Sequence, residues 1–139
     1  MIRTLLTLAA GIGFGAIGMN ALHDDGERVI TISERKIVEK VDGKESKAMI
    51  VEVTLEPGQA GVPHRHPGPG FGYVLEGEYE WGVDDQPAKV LKAGETFYEP
   101  TGCLHRASKN PSAKGRTRVL AVVLVPRDAE QIAIPERRK

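Results

Sequence analysis

Two stretches decide the reading. The first is Gly58-Gln-Ala-Gly-Val-Pro-His64-Arg-His66-Pro-Gly-Pro-Gly70-Phe-Gly-Tyr-Val-Leu-Glu-Gly77. The second is Gly94-Glu-Thr-Phe-Tyr-Glu-Pro100-Thr-Gly102-Cys-Leu-His105-Arg-Ala-Ser-Lys-Asn110. His64 and His66 are two positions apart, so on a strand both imidazoles leave the same face. His105 follows a Pro-x-Gly turn, which can carry a third imidazole back across a sheet. The chain has four histidines, and these three are the ones that fall in the two stretches. Imidazoles converging from separate segments are a transition-metal donor set. An isolated His-x-His pair carries little weight; the third histidine, placed by its own turn, adds the specificity.

The surrounding sequence reads as β-structure. Strands are expected over Arg28–Ser33, Lys36–Val41 and Ala48–Leu55, with Val41-Asp42-Gly43-Lys44 as a hairpin turn. Val62–His66 leads into a Pro-Gly-Pro-Gly loop. Phe71–Leu75 and Glu78–Val83 are expected to pair as a hairpin around Glu76-Gly77. Further strands are expected at Lys89–Leu91 and Thr96–Tyr98. Thr117–Val125 is a nearly unbroken apolar run, expected in a central place with both faces covered. Asp128–Ile134 fits a short helix or an extended arm. Nine or ten short strands punctuated by Gly and Pro, without a long amphipathic helix, indicate a closed or rolled all-β domain.

Gly58-x5-His64-x-His66 with Tyr73-Val-Leu-Glu-Gly77 resembles the first motif of the cupin superfamily. Gly94-x5-Pro100-x-Gly102-x2-His105 resembles the second, with Asn110 one residue later than the family's usual Asn. The resemblance spans roughly residues 47–126 and implies a single-domain, jelly-roll β-barrel. It also implies one divalent transition metal (Fe, Mn, Zn, Ni or Cu) on His64, His66 and His105. The family's first motif normally supplies a Glu ligand after the second His, with three or four residues between them. Gly70 and Phe71 stand there instead. The expected site is therefore three imidazoles with open positions, as a catalytic centre requires, and Gly70→Glu is expected to tighten metal binding.

Phe71, Tyr73, Trp81, Phe97 and Cys103 are the candidate pocket residues. Glu95 and Glu99 are expected at the surface, with an imidazole-orienting role as the alternative. Strand alternation points Arg65 and Arg106 away from the centre. No residue is singled out as catalytic. The resemblance admits a small-molecule oxygenase of the three-His type, and alternatively a non-catalytic cupin that binds a metal or small ligand.

Composition narrows the partners. Nineteen Lys and Arg balance nineteen Asp and Glu, which leaves no electrostatic footprint for nucleic acid. One cysteine excludes an intramolecular disulfide. Residues 1–22 begin with a basic start and continue uncharged and rich in Leu, Ala and Gly. They read as a signal peptide, or as a membrane anchor if uncleaved, so the protein is expected to be exported, periplasmic or secreted. Gly13-x-Gly15-x-x-Gly18 lies inside this leader, without a strand before it, and is not a dinucleotide fingerprint. The expected organisation is a leader (1–22), N-terminal strands (28–46), a barrel (47–126) and a C-terminal arm (127–139). A small-molecule ligand and a homodimeric assembly are the expected partners.

Overall fold

A computed structural model describes residues 27–137; the leader expected over 1–22 lies outside the described residues. Among the described residues there are ten strands and no helix. They are β1 (Arg28–Val41), β2 (Lys44–Leu55), β3 (His64–Arg65), β4 (Gly70–Glu76) and β5 (Glu78–Val83), then β6 (Lys89–Lys92), β7 (Thr96–Glu99), β8 (Leu104–Lys109), β9 (Thr117–Pro126) and β10 (Ile134–Pro135). They form two five-stranded sheets, in the orders β1-β2-β9-β4-β7 and β10-β3-β8-β5-β6. Every paired neighbour is antiparallel. The sheets enclose a core of Leu55, Val74, Tyr79, Trp81, Val83, Cys103 and Val119.

The Asp42-Gly43 turn forms as expected, with φ of 51° and 74°, the left-handed pair that a two-residue hairpin turn needs. The strand before it is not two strands but one. β1 runs unbroken from Arg28 to Val41, absorbing its irregularity as register shifts at Thr31/Ser33 and Lys36/Lys40. It is an edge strand, and its Glu, Arg and Lys side chains discourage further strand pairing.

The Glu76-Gly77 segment is not a hairpin. β4 pairs with β7 and β9, whereas β5 pairs with β6 and β8 in the other sheet. Gly77 (φ 77°) turns the chain across the edge from one sheet to the other, and a Cβ there would collide with the Arg116 carbonyl oxygen. This corner aims Tyr79, Trp81 and Val83 inward, opposite Val74.

β9 takes the central place expected of it, between β2 and β4. Its inner residues Val119, Val123 and Val125 are fully buried, while Leu120, Val122 and Leu124 on the outer face are only partly covered. The segment after it forms the arm and not the helix. It folds back so that β10 pairs with β3, and Glu136 N donates to Pro63 O at 2.8 Å. Asn110 is fully buried. Its Nδ2 donates to Leu55 O and Gly115 O, and its Oδ1 accepts from Ser112 N. The residue therefore clamps the β8–β9 connection to the end of β2.

Candidate metal centre

The three imidazoles meet because of strand register. β3 and β8 pair antiparallel with His64 directly opposite His105, and residues directly opposite share a face. Gly102, at φ 73°, makes the turn that starts β8, and its N–H donates to His66 O at 3.0 Å. His66 follows β3 and turns in beside His64. The ring centroids lie 4.7 Å apart for His64 and His66, and 4.9 Å for His64 and His105. One ring nitrogen from each residue falls within 4.8 Å of the others.

Each ring has one nitrogen anchored and the other turned toward its neighbours in the group. His64 Nδ1 donates to Val62 O at 2.8 Å, and His66 Nδ1 to Ile132 O at 2.6 Å. Both Nε2 atoms are thereby turned toward each other, 3.2 Å apart. On the third ring, Tyr79 Oη donates to Ser108 Oγ (2.9 Å), and Ser108 Oγ to Glu27 Oε2 (3.4 Å). The Tyr79 oxygen is left to accept from His105 Nε2 at 3.3 Å. His105 Nδ1 is then a buried nitrogen with no hydrogen-bond partner.

Glu99 lies against this group. It is 2 % exposed, with Oε2 at 3.2 Å from His66 Nε2 and Oε1 at 3.1 Å from His105 Nδ1. The second contact lacks hydrogen-bond geometry and is electrostatic only. Trp81 Nε1 donates to Oε1 at 2.9 Å. Burial alone would raise the Glu99 carboxyl, but the His66 hydrogen bond, the two imidazoles and Trp81 outweigh it and hold the group at about 2. Burial likewise pulls His66 down, yet Glu99 and the Ile132 carbonyl leave it raised. Burial lowers His64, assisted by the charge of His66, and takes His105 down to about 4. Both are neutral imidazoles near neutral pH, the form that ligates metals.

The expectation that Glu99 lies at the surface is overturned. On β7 the buried positions alternate with exposed ones, so Phe97 and Glu99 share the inner face and Tyr98 faces out. The alternation was available in the sequence once Phe97 was placed in the pocket. The other unassigned participants, Tyr79, Ser108 and Glu27, have no sequence signal, since only the fold brings them together. Burial raises the Glu27 carboxyl and lifts the Tyr79 phenol well above its ordinary value.

The histidines open on a cavity with an aliphatic wall of Val51, Val53, Val119, Ala121 and Val123, closed by Tyr79, Phe97 and the arm residues Ile132 and Ala133. Of the pocket candidates, Phe97 lines it, packed 5.5 Å from the rings of both Tyr79 and Trp81. Phe71 contributes to the lining but projects outward, stacked at 5.2 Å on Tyr98. Tyr73, Trp81 and Cys103 do not line it. Tyr73 is on the outer face of β4, 44 % exposed, because Gly70, Gly72 and Val74 take the inner positions. Trp81 stands behind Glu99. Cys103 is packed in the core with its thiol pushed up to about 11, chiefly by burial, and is not one of the grouped donors. Arg65 and Arg106 point away from the centre, onto Gly102 O and Glu136, and onto the Asp84 and Gln86 carbonyls.

This donor set fits a divalent transition metal: three imidazole nitrogens grouped beside an apolar cavity, with their rings already oriented. Residues 51–123 match the family model described as the cupin domain. No curated protein sequence matches the chain. Among solved structures, it is similar to a cupin superfamily protein from Desulfitobacterium hafniense, with 16 % identity, TM-score 0.55, 74 % of this chain covered and 81 % of that one. It is also similar to an uncharacterised double-stranded β-helix protein from Klebsiella pneumoniae, with 19 % identity, TM-score 0.61, and 84 % and 89 % covered. A third is an oxalate oxidase in complex with the substrate analogue glycolate, with 24 % identity, TM-score 0.53, and 76 % and 54 % covered. The two rolled sheets, the paired histidine motifs and the match over residues 51–123 make this chain a member of the cupin family.

Proposed function

We propose that His64, His66 and His105 hold one divalent transition metal, and that the cavity beside it binds a small organic molecule for metal-dependent oxidation. The observation that carries this reading is the facing pair of Nε2 atoms at 3.2 Å, each ring's other nitrogen tied to a backbone carbonyl. Two nitrogen donors at about 2.0–2.1 Å from one ion stand roughly 3.0–3.4 Å apart at ordinary bond angles. Without a cation or proton between them, such facing lone pairs only repel.

Bound there, the metal would supply Lewis acidity and, if redox-active, electron transfer with O2. The protein's own residues do the rest. Carbonyls of Val62 and Ile132 hold two rings in place, and the Tyr79–Ser108–Glu27 chain holds the third. The valine wall and Phe97 select an apolar body and keep water from the reacting atoms. The likeness to an oxalate oxidase supports this class through the fold they share.

The leader composition supports export from the cytoplasm. The apolar outer face formed by Phe71, Tyr73, Leu75 and Tyr98 supports a homodimer. The test is elemental analysis of protein purified without chelator, repeated for His64→Ala and His105→Ala. Near-stoichiometric metal in the wild type, lost in both variants, is the expected result. O2 consumption is then measured against diketones, flavonols and thiols. Metal without turnover of any of them would make this a binding protein, and wild-type protein that stays metal-free with excess metal would end the metal reading.

A further inference from the structure

The first motif lacks the family's carboxylate at residue 70. The fold returns one from the neighbouring strand. Gly70 and Glu99 are direct cross-strand partners in the β4·β7 pair, and side chains directly opposite in an antiparallel pair leave the same face with Cβ atoms about 4.5–5.5 Å apart. A Cβ built on Gly70 would lie 3.6 Å from both Cβ and Oε2 of Glu99. The Glu99 carboxylate therefore occupies the space into which a residue-70 side chain would extend. We infer that Glu99 is the fourth protein ligand of the metal centre, supplied from β7 in place of the one absent at Gly70.

Three contacts carry the inference. Glu99 Oε2 stands 3.2 Å from His66 Nε2, the same separation as between the His64 and His66 Nε2 atoms. His66 Nδ1 is committed to the Ile132 carbonyl, so Nε2 is its metal-directed nitrogen. When that nitrogen donates its lone pair to a metal it carries no proton, and a carboxylate oxygen 3.2 Å away then faces a bare lone pair. With no proton on that nitrogen, a shared cation is what makes the arrangement favourable. Glu99 Oε1 is meanwhile held by the Trp81 indole N–H at 2.9 Å, which orients the carboxylate and leaves Oε2 for the ion. A purely orienting role for Glu99 would need a proton on the very nitrogen that ligates. The Gly70→Glu change would accordingly add a second carboxylate to the site, not replace a missing one.

This inference rests on the three-imidazole reading, and Co2+ separates the two. Its affinity and visible absorption, which changes with coordination number, are measured for the wild type, Glu99→Gln, Glu99→Asp and the exchange Gly70→Glu/Glu99→Ala, with folding checked by thermal melting. Loss of a residue that merely orients a ligand weakens metal binding about 10–100-fold. Glu99→Gln is expected to exceed that range and alter the absorption, and Glu99→Asp to fall between. The exchange should regain most of the affinity and the wild-type band, because Gly70 has no left-handed φ, a Cβ there meets nothing closer than 3.6 Å, and removing the Glu99 side chain vacates the space the new carboxylate needs. Wild-type affinity and spectrum in Glu99→Gln would overturn the inference, as would an exchange variant that folds but stays as weak as Glu99→Gln. If Glu99→Gln does not fold, the exchange and Asp variants decide on the same criteria. A wild type that takes up no Co2+ would remove the three-imidazole reading, and this inference with it.

Discussion

Trp81→Phe isolates the cost of holding a carboxylate under the histidines. The substitution keeps an aromatic ring against Phe97, 5.5 Å away, and removes the 2.9 Å N–H that Glu99 Oε1 accepts. A hydrogen bond to a charged group is worth about 1.5–3 kcal/mol. The volume lost on going from indole to phenyl adds about 1 kcal/mol of cavity cost. A total near 2.5–4 kcal/mol corresponds to a fall in Tm of roughly 10–16 °C for a domain of this size, at about 4 °C per kcal/mol. The electrostatic part has a pH signature, measured in the metal-free protein with chelator present. Glu99 sits at about 2 in the fold, below its ordinary unfolded value. Its contribution is therefore complete above about pH 4.5 and is lost as pH falls toward 2. Removing the indole N–H raises the folded value, so the wild-type advantage is fully present at neutral pH and shrinks by about pH 3 toward the packing cost alone. Denaturant unfolding of both proteins at the two pH values measures this. An equal difference at both would refute the argument and make Trp81 a packing residue only.

Further outcomes follow from single contacts. Cys103, with its thiol at about 11, should react with iodoacetamide far more slowly in native protein at about pH 8 than in urea; rapid stoichiometric labelling of native protein would contradict its burial. Asn110→Ala should cost about 2–4 kcal/mol, since it strands the buried Leu55 carbonyl and releases two loop contacts; a change in the denaturation midpoint too small to resolve would show that the clamp is dispensable. Gly68→Ala drives a Cβ into the Leu124 carbonyl oxygen, which is backbone and cannot swing aside. That variant should lose at least about 1–3 kcal/mol, whereas Gly58→Ala, with open space but a left-handed φ of 75°, should lose less.

Local chemistry determined much of this protein before any fold was known. Asp42-Gly43 admits a tight turn because both residues tolerate positive φ. The spacing of His64 and His66 turns their rings inward together, and the Pro100–Gly102 turn places His105 within reach of them. Those are statements about neighbouring residues, and a linear reading can make them. It also misled where the partner lay far along the chain. Phe71–Leu75 and Glu78–Val83 look like a hairpin because each alternates and a glycine joins them; only the sheets show that the glycine is a corner and that the two strands never pair. Tyr73 looks like a pocket residue until β4 turns its glycines inward. Glu99 looks like a surface charge until register sets it opposite Gly70, beneath Trp81. A strand's pattern specifies that it has two faces, but which face is inside, and which distant residue stands opposite, depends on long-range pairing that no local preference encodes. The histidines were therefore legible in the order of residues, and the carboxylate beside them was decided by the roll of the sheets.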